Sequence, residues 1–326
     1  MSRRTTLVAA LVAAPLTLGG CGLGASIAGI HDAPAEQSSG ASVTSTTARQ
    51  VADRVVTEAV DVSRKSGKAA ETAREEVLSG PALREVRAAV ASKDRTTRTS
   101  TQVEGLKVLA VSRGATWPRA VLATSRSGDV QYLHVLVAEQ ADQPFTLFAD
   151  VPMAAGASVP ALAPLDEGTK VTVAAPGKDV RDAATAWAKG VAFPSSSTKA
   201  PEDVSVSDAF SAALRKNARA TKADLGDLAY YRQRQAVAEG DAVSFALADG
   251  GAITFLPMTR TDTITATKKL KELKLEQAAL KDVLDTSTVE RALSIKHAET
   301  LALVTPAEGK ARVVGASDVL ESAKGS

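Results

Sequence analysis

Arg119-Ala120-Val121-Leu122-Ala123-Thr124, Ser127-Gly128-Asp129 and Tyr132-Leu133-His134-Val135-Leu136-Val137 together form the stretch that decides the fold. Two apolar runs of strand length flank a glycine-bearing turn too short for a parallel crossover, so they pair as an antiparallel hairpin. Working outward, Leu106 to Val111 precedes them and Phe145 to Val151 follows, the latter across the turn-like Ala141-Asp142-Gln143-Pro144. Four neighbouring strands with short links predict an antiparallel sheet.

Upstream the period changes to about 3.6. Thr47 is placed to cap a helix with Val51, Val55 and Val62 on its apolar face and Ala52, Val56 and Ala59 beside them. Ser66-Gly67 interrupts it. Helical pattern resumes from Ala69 to Leu78, stops at Ser79-Gly80, and restarts with Pro81 in a first turn before Leu83, Val86 and Val90. Helices followed by an antiparallel sheet make an α+β arrangement.

The order then recurs. Helical pattern is read at Val180 to Lys189 and from Val206 to about Ala236, and strands at Val243 to Leu247 and Ala252 to Met258 around the turn Asp249-Gly250-Gly251. A last hairpin is expected from Thr300 to Val304 and Ala311 to Val314. Between the halves, residues 154–176 carry Pro160, Pro164 and Pro176 with little periodicity and read as a linker. The expectation is two tandem domains, 48–153 and 177–326, each with helices packed on a curved antiparallel sheet.

The first 47 residues read as an address. Arg3 and Arg4 precede an uncharged run from Leu7 to Gly20, the order of a signal peptide. That run is shorter than the roughly 20 apolar residues needed to span hydrocarbon, and Pro15, Gly19 and Gly20 break it. Leu18-Gly19-Gly20-Cys21 resembles the lipobox of bacterial lipoproteins, which implies cleavage between Gly20 and Cys21 and a diacylglyceryl group on the Cys21 thiol. Cys21 is the only cysteine, so a disulfide within one chain is excluded. From Gly22 to Thr47 the Gly-, Ala-, Ser- and Thr-rich sequence reads as a flexible tether reaching about 25–30 Å. The localisation expected is the outer face of a cell membrane, held by lipid.

Ser112-Arg113-Gly114-Ala115-Thr116-Trp117-Pro118-Arg119, Pro144-Phe145-Thr146-Leu147-Phe148-Ala149, Gly156-Ala157-Ser158-Val159-Pro160 and the stretch from Asp249-Gly250-Gly251 through Thr261-Asp262-Thr263 resemble an uncharacterised family of actinobacterial lipoproteins, described only as a domain of unknown function. The resemblance runs from about residue 48 onward and carries no catalytic residue across. Helices folded on a curved sheet are more distantly similar to the cystatin-like or nuclear transport factor 2-like cone, a fold that hosts enzymes, pockets and interaction modules alike.

Charge and motifs exclude more than they name. Lys plus Arg total 39 against 37 for Asp plus Glu, so no basic stripe points to nucleic acid. The three histidines are His31 in the tether, His134 mid-strand and His297 before an expected strand, and none has a recognisable nucleophile beside it in sequence. With no cysteine in the body, thiol chemistry and cysteine metal sites are excluded. Ser196-Ser197-Thr198-Lys199 satisfies a Ser-x-x-Lys pattern, but in a Pro- and Ser-rich loop without the partner motifs of penicillin-recognising enzymes. No phosphate-cradling glycine motif occurs.

Two binding candidates remain. Trp117 with Phe145 and Phe148 forms a candidate pocket, because aromatic residues are only 3% of the chain and these gather in one expected sheet. Leu270, Leu273, Leu280 and Leu284 make a helical stripe in a Lys- and Glu-rich segment that a partner could cover. The reading is a lipid-anchored, non-enzymatic binding or interaction protein of the cell envelope. It has no cofactor, catalytic residue or metal site, and its partners are the membrane and an envelope protein or small apolar ligand. An envelope hydrolase with a carboxylate-lined cleft is the alternative, and a solute-binding lipoprotein the second.

Overall fold

The expected hairpin forms as β2 (Arg119–Ser127) and β3 (Val130–Ala138) in a computed structural model that describes residues 40–65, 67–93, 103–195, 199 and 201–326. Arg119 pairs with Ala138 and Ser127 with Val130, leaving Gly128-Asp129 as a two-residue turn. Gly128 has φ +59°, the left-handed value that the first position of such a turn requires. β1 (Glu104–Val111) and β4 (Thr146–Pro152) flank the pair, giving a four-stranded antiparallel sheet in the order β1-β2-β3-β4.

Three helices precede it: α1 (Ser45–Arg64), α2 (Lys68–Val77) and α3 (Gly80–Ala91). Thr44, not Thr47, caps α1; its hydroxyl accepts the Thr47 amide at 3.2 Å, because Thr47 already lies inside the first turn. Ala52, Val55, Val56 and Ala59 of α1 and Val86 of α3 bury against Val121, Ala123, Leu136 and Leu147 on one face of the sheet.

The second half supplies β5 (Val171–Ala174), α4 (Lys178–Val191), β6 (Val204–Ser205), α5 (Ala209–Leu225), β7 (Ala229–Val237), β8 (Ala242–Ala246) and β9 (Ala252–Ala266). β10 (Leu273–Lys274), α6 (Ala278–Leu284), β11 (Thr288–Val289), β12 (Ala292–Thr305) and β13 (Ala311–Gly325) complete it. β5, β8, β9, β12, β13 and β6 lie side by side with β7 also on β9, antiparallel apart from the two-residue pairing of β6 with β13. The chain is thus mixed α+β with antiparallel sheets.

The two sheets pack face to face. Leu122, Leu133, Val135 and Val151 of the first bury against Phe245, Ile253, Phe255 and Val304 of the second, and α4 covers the far side of the second through Trp187 and Val191 on Leu256, Met258 and Leu301. Residues on both faces are therefore excluded from water, which is why these strands read as unbroken apolar runs. Residues 38–326 cluster as one compact unit. Residues 154–176 run across both sheets, with Ala154 donating to the Val314 carbonyl and Thr169 to the Val111 and Ala246 carbonyls.

Two segments differ from expectation. Helix α5 stops at Gly226, φ +52°, and Ala229 to Val237 is a strand whose alternate residues Tyr231, Gln233 and Gln235 point inward. Its Gln and Arg content favours a helix locally, but pairing with β9 along all nine residues overrides that preference. The leucine stripe is not one helix: Leu273 lies in β10, Leu280 in α6, and both bury with Leu275, Val289 and Leu293 in their own small core. Among the described residues no helix is long and apolar enough to cross a membrane.

Candidate functional site

The sheets bring together two histidine centres that the linear sequence keeps apart. The first lies across β2, β3 and β4. Antiparallel register places Ala123 opposite His134 and His134 opposite Asp150, so Ser125, His134 and Asp150 share one face of the sheet. Ser125 Oγ is 2.7 Å from His134 Nε2, and His134 Nδ1 is 3.0 Å from Asp150 Oδ1. The arrangement suits a ring that accepts the Ser125 hydroxyl on Nε2 and turns Nδ1 toward the Asp150 carboxylate.

These are the distances of a serine-hydrolase triad, but the surroundings are those of a core. Ser125 is 2% exposed, His134 0% and Asp150 4%, and none lines either of the two clefts described below. A nucleophile needs an approach path for a carbonyl carbon and donors for its oxyanion. This centre turns its polar groups toward one another and toward no cleft. Glu85 of α3 approaches the same region, where its Oε1 accepts from Ser317 Oγ at 2.6 Å and from Thr300 Oγ1 across on the second sheet. Burial pushes the Glu85 carboxyl up to about 7, and the nearby Asp150 charge adds to the rise.

The second centre sits where β7, β9, β12 and β13 run past the first sheet and α5, β10 and α6 fold over them. Register sets Arg260 opposite His297 and Glu299 opposite Asp318, while Asp262 follows Arg260 on the same face of β9. Arg260 Nε donates to Asp262 Oδ2 at 3.1 Å, Nη1 donates to Asp318 Oδ2, and Nη2 is 2.9 Å from His297 Nε2. His297 Nδ1 lies 2.8 Å from Asp318 Oδ1, and Glu299 Oε1 is 3.5 Å from Arg260 Nη1.

Electrostatics here follow burial first and neighbours second. Burial raises Asp262 against the pull of Arg260, His297 and the Tyr231 hydroxyl. Glu299 rises well above the usual range from burial and the Asp318 charge. Burial presses Asp318 the same way, but His297 and Arg260 outweigh it and hold its carboxyl low. Desolvation works against the Arg260 charge, yet Asp318, Asp262 and Glu299 together hold its pKa above the ordinary value.

Unlike the first centre, this one opens into a cavity of about 660 Å³. Arg260, Asp262, His297 and Asp318 lie at its floor with Tyr231 and Gln233, and its walls include Leu214, Leu275, Leu280 and Ile295. A charged floor with apolar walls and a volume within the range of small-molecule sites defines a candidate binding cleft. Among the described residues no group of three or more His, Cys, Asp or Glu side chains is arranged to hold a metal ion.

The residues singled out from sequence fall elsewhere. Gly20 and Cys21 lie outside the described residues, as do His31 and Ser196. Trp117 is half-buried with the Arg119 guanidinium stacked 4.4 Å from its ring centre. Phe148 packs between the two sheets and against Gly80, where a Cβ would overlap its ring, whereas Phe145 packs with the α1–α3 layer on the opposite face. The three aromatics are thus not gathered at one cavity, and none lines the cleft. Lys199 lines a second cleft of about 600 Å³ with Lys189, Arg215 and Arg219. His297 does belong to the candidate site, but mid-strand in β12 and not ahead of a strand. The signal that would have found the cleft is period-two alternation in Arg260-x-Asp262, Ile295-x-His297-x-Glu299 and Tyr231-x-Gln233-x-Gln235. Comparison with protein-family models, curated proteins and solved structures returns no match for this chain.

Proposed function

We propose that the protein is a lipid-anchored binding module on the extracytoplasmic face of a bacterial cell membrane, tethered through Cys21, that takes a small ligand into the cleft over Arg260, Asp262, His297 and Asp318. One observation carries the ligand part: the cavity of about 660 Å³ joins a buried charged floor to leucine and isoleucine walls. The address part rests on the order of Arg3, Arg4, the apolar run and Leu18 to Cys21, and the likeness to actinobacterial lipoproteins agrees with it. We read the two halves, 48–153 and 177–326, as helix-on-sheet units of the nuclear transport factor 2-like kind, since each sets helices against an antiparallel sheet. The role is binding without chemistry.

The test has two arms. Full-length protein purified from envelope membranes is expected to carry or take up a small molecule seen by native mass spectrometry, and Ile295→Glu, which puts a charge into the cleft wall, is expected to lose it. Equal retention by the variant would remove the cleft from the proposal. Cys21→Ala is expected to release the protein from the membrane fraction or leave its leader uncleaved; unchanged retention and processing would sink the anchor.

An envelope hydrolase is the second reading, favoured by one observation: Asp262, Asp318 and His297 converge at an open cleft. Turnover of envelope glycan or peptide by the wild type that His297→Ala abolishes without unfolding would put this reading first.

A further inference from the structure

The donors and acceptors at the floor of the cleft do not balance. All three nitrogens of the Arg260 guanidinium are engaged, Nε by Asp262, Nη1 by Asp318 and Nη2 by His297. His297 is committed in turn, with Nδ1 at Asp318 and Nε2 at Arg260. Among what is left over are buried acceptors. Asp262 is 8% exposed, and its Oδ1 makes no hydrogen bond although the residue lines the cavity. Behind it Glu299, 1% exposed, leaves both carboxylate oxygens without a hydrogen bond.

Charge points the same way. Even with Glu299 protonated, Asp224, Asp262, Glu276 and Asp318 set four carboxylates in the cleft against Arg260, Lys274 and the ring of His297. A buried acceptor without a donor costs about 1–3 kcal/mol, more when it is charged. A ligand that brings N–H groups and positive charge recovers that cost, whereas an anion would meet the Asp262 and Asp318 carboxylates, with Arg260 already turned toward both. The walls set the rest of the ligand, because Leu214, Leu275, Leu280, Leu293 and Ile295 offer no hydrogen bonds and favour an apolar body.

From this imbalance we propose that the cleft is specific for an amphiphilic organic cation, an ammonium or amine head seated on Asp262 with an aliphatic body along the leucine wall. The inference rests on the cleft-binding reading above and names its ligand class.

Calorimetric titration of the full-length chain with octylammonium, octanol and octyl sulfate, each below its micellar concentration, separates the two. Octylammonium is expected to bind at least about tenfold tighter than octanol, equivalent to about 1.4 kcal/mol, with octyl sulfate weakest. Asp262→Asn, which keeps the shape and removes the charge, is expected to erase the preference for ammonium while leaving octanol binding in place. Octanol equal to octylammonium, or octyl sulfate ahead of both, overturns the cation assignment and leaves the cleft a binding site, provided Leu280→Asp weakens the probe that binds. Binding of none of the three overturns both readings. The ranking on the wild type stands as a test even where Asp262→Asn does not fold.

Discussion

His134 and His297 both sit mid-strand in an antiparallel sheet, each beside an aspartate, yet they are put to opposite uses. His134 is closed over by α3 and the inner layers, with one ring nitrogen on Ser125 and the other on Asp150. His297 has comparable partners in Arg260 and Asp318 but keeps 17% of its side chain exposed, because β12 and β13 extend beyond the sandwich into a region roofed only by α5, α6 and β10. A triad-like set of distances is therefore a weak sign of chemistry where nothing can enter, and an ordinary ion-pair network becomes a candidate site where something can.

The largest expected effect tests how tightly the first centre is closed. His134→Ala would take the imidazole from between Asp150 and Ser125 and open a void, at a cost of about 3–5 kcal/mol. The guanidinium unfolding midpoint measures it, and a loss under about 1 kcal/mol would mean that water reaches this centre. Next comes the tie between α3 and the second sheet. Arg84 holds Glu321 through two bonds of 2.8 and 2.9 Å, and with Lys296 keeps its carboxyl down at about 2. Arg84→Ala should cost about 1–2 kcal/mol, seen in the same unfolding curves at neutral pH. Because the Glu321 pKa is depressed, its stabilisation is present above the unfolded value near 4.5 and is lost as pH falls toward about 2.

Smaller still is His297→Ala, expected to cost less than about 1.5 kcal/mol, since water from the cleft can replace the ring. Equal losses at His134 and His297 would erase the distinction between the centres. The finest test uses pH. Glu85 is raised from about 4.5 to about 7, so the folded state holds its proton more tightly than the unfolded chain, and stability falls as pH rises through that window. Glu85→Gln should flatten the decline between pH 5 and pH 8, both taken as roughly the edges of that window. A decline that persists in the variant would assign it to another group.

The first sheet was legible to within a residue or two at most strand ends, since apolar runs and the Gly128 turn act over short distances and agree with the tertiary result. β7 was not, because Arg232, Gln233, Arg234 and Gln235 carry helical preference and only backbone pairing with the β9 edge overrides it. The extensions of β9, β12 and β13 were hidden for a related reason: Arg260, Asp262, His297, Glu299 and Asp318 break the apolar alternation that marks a buried strand. Those same residues form the cleft floor. The aromatic cluster failed differently, as Phe145 and Phe148 are three apart on a bulged strand and face opposite layers.

By itself the sequence determined the helices-then-sheet order of the first half and the turns that set strand direction there, because capping, glycine conformation and residue periodicity are local forces. Only the tertiary structure decided which histidine is closed in and which is open. Pairing Arg260 with His297, or His134 with Asp150, depends on strand register across residues distant in sequence, and exposure depends on how far each strand outruns the layer packed against it.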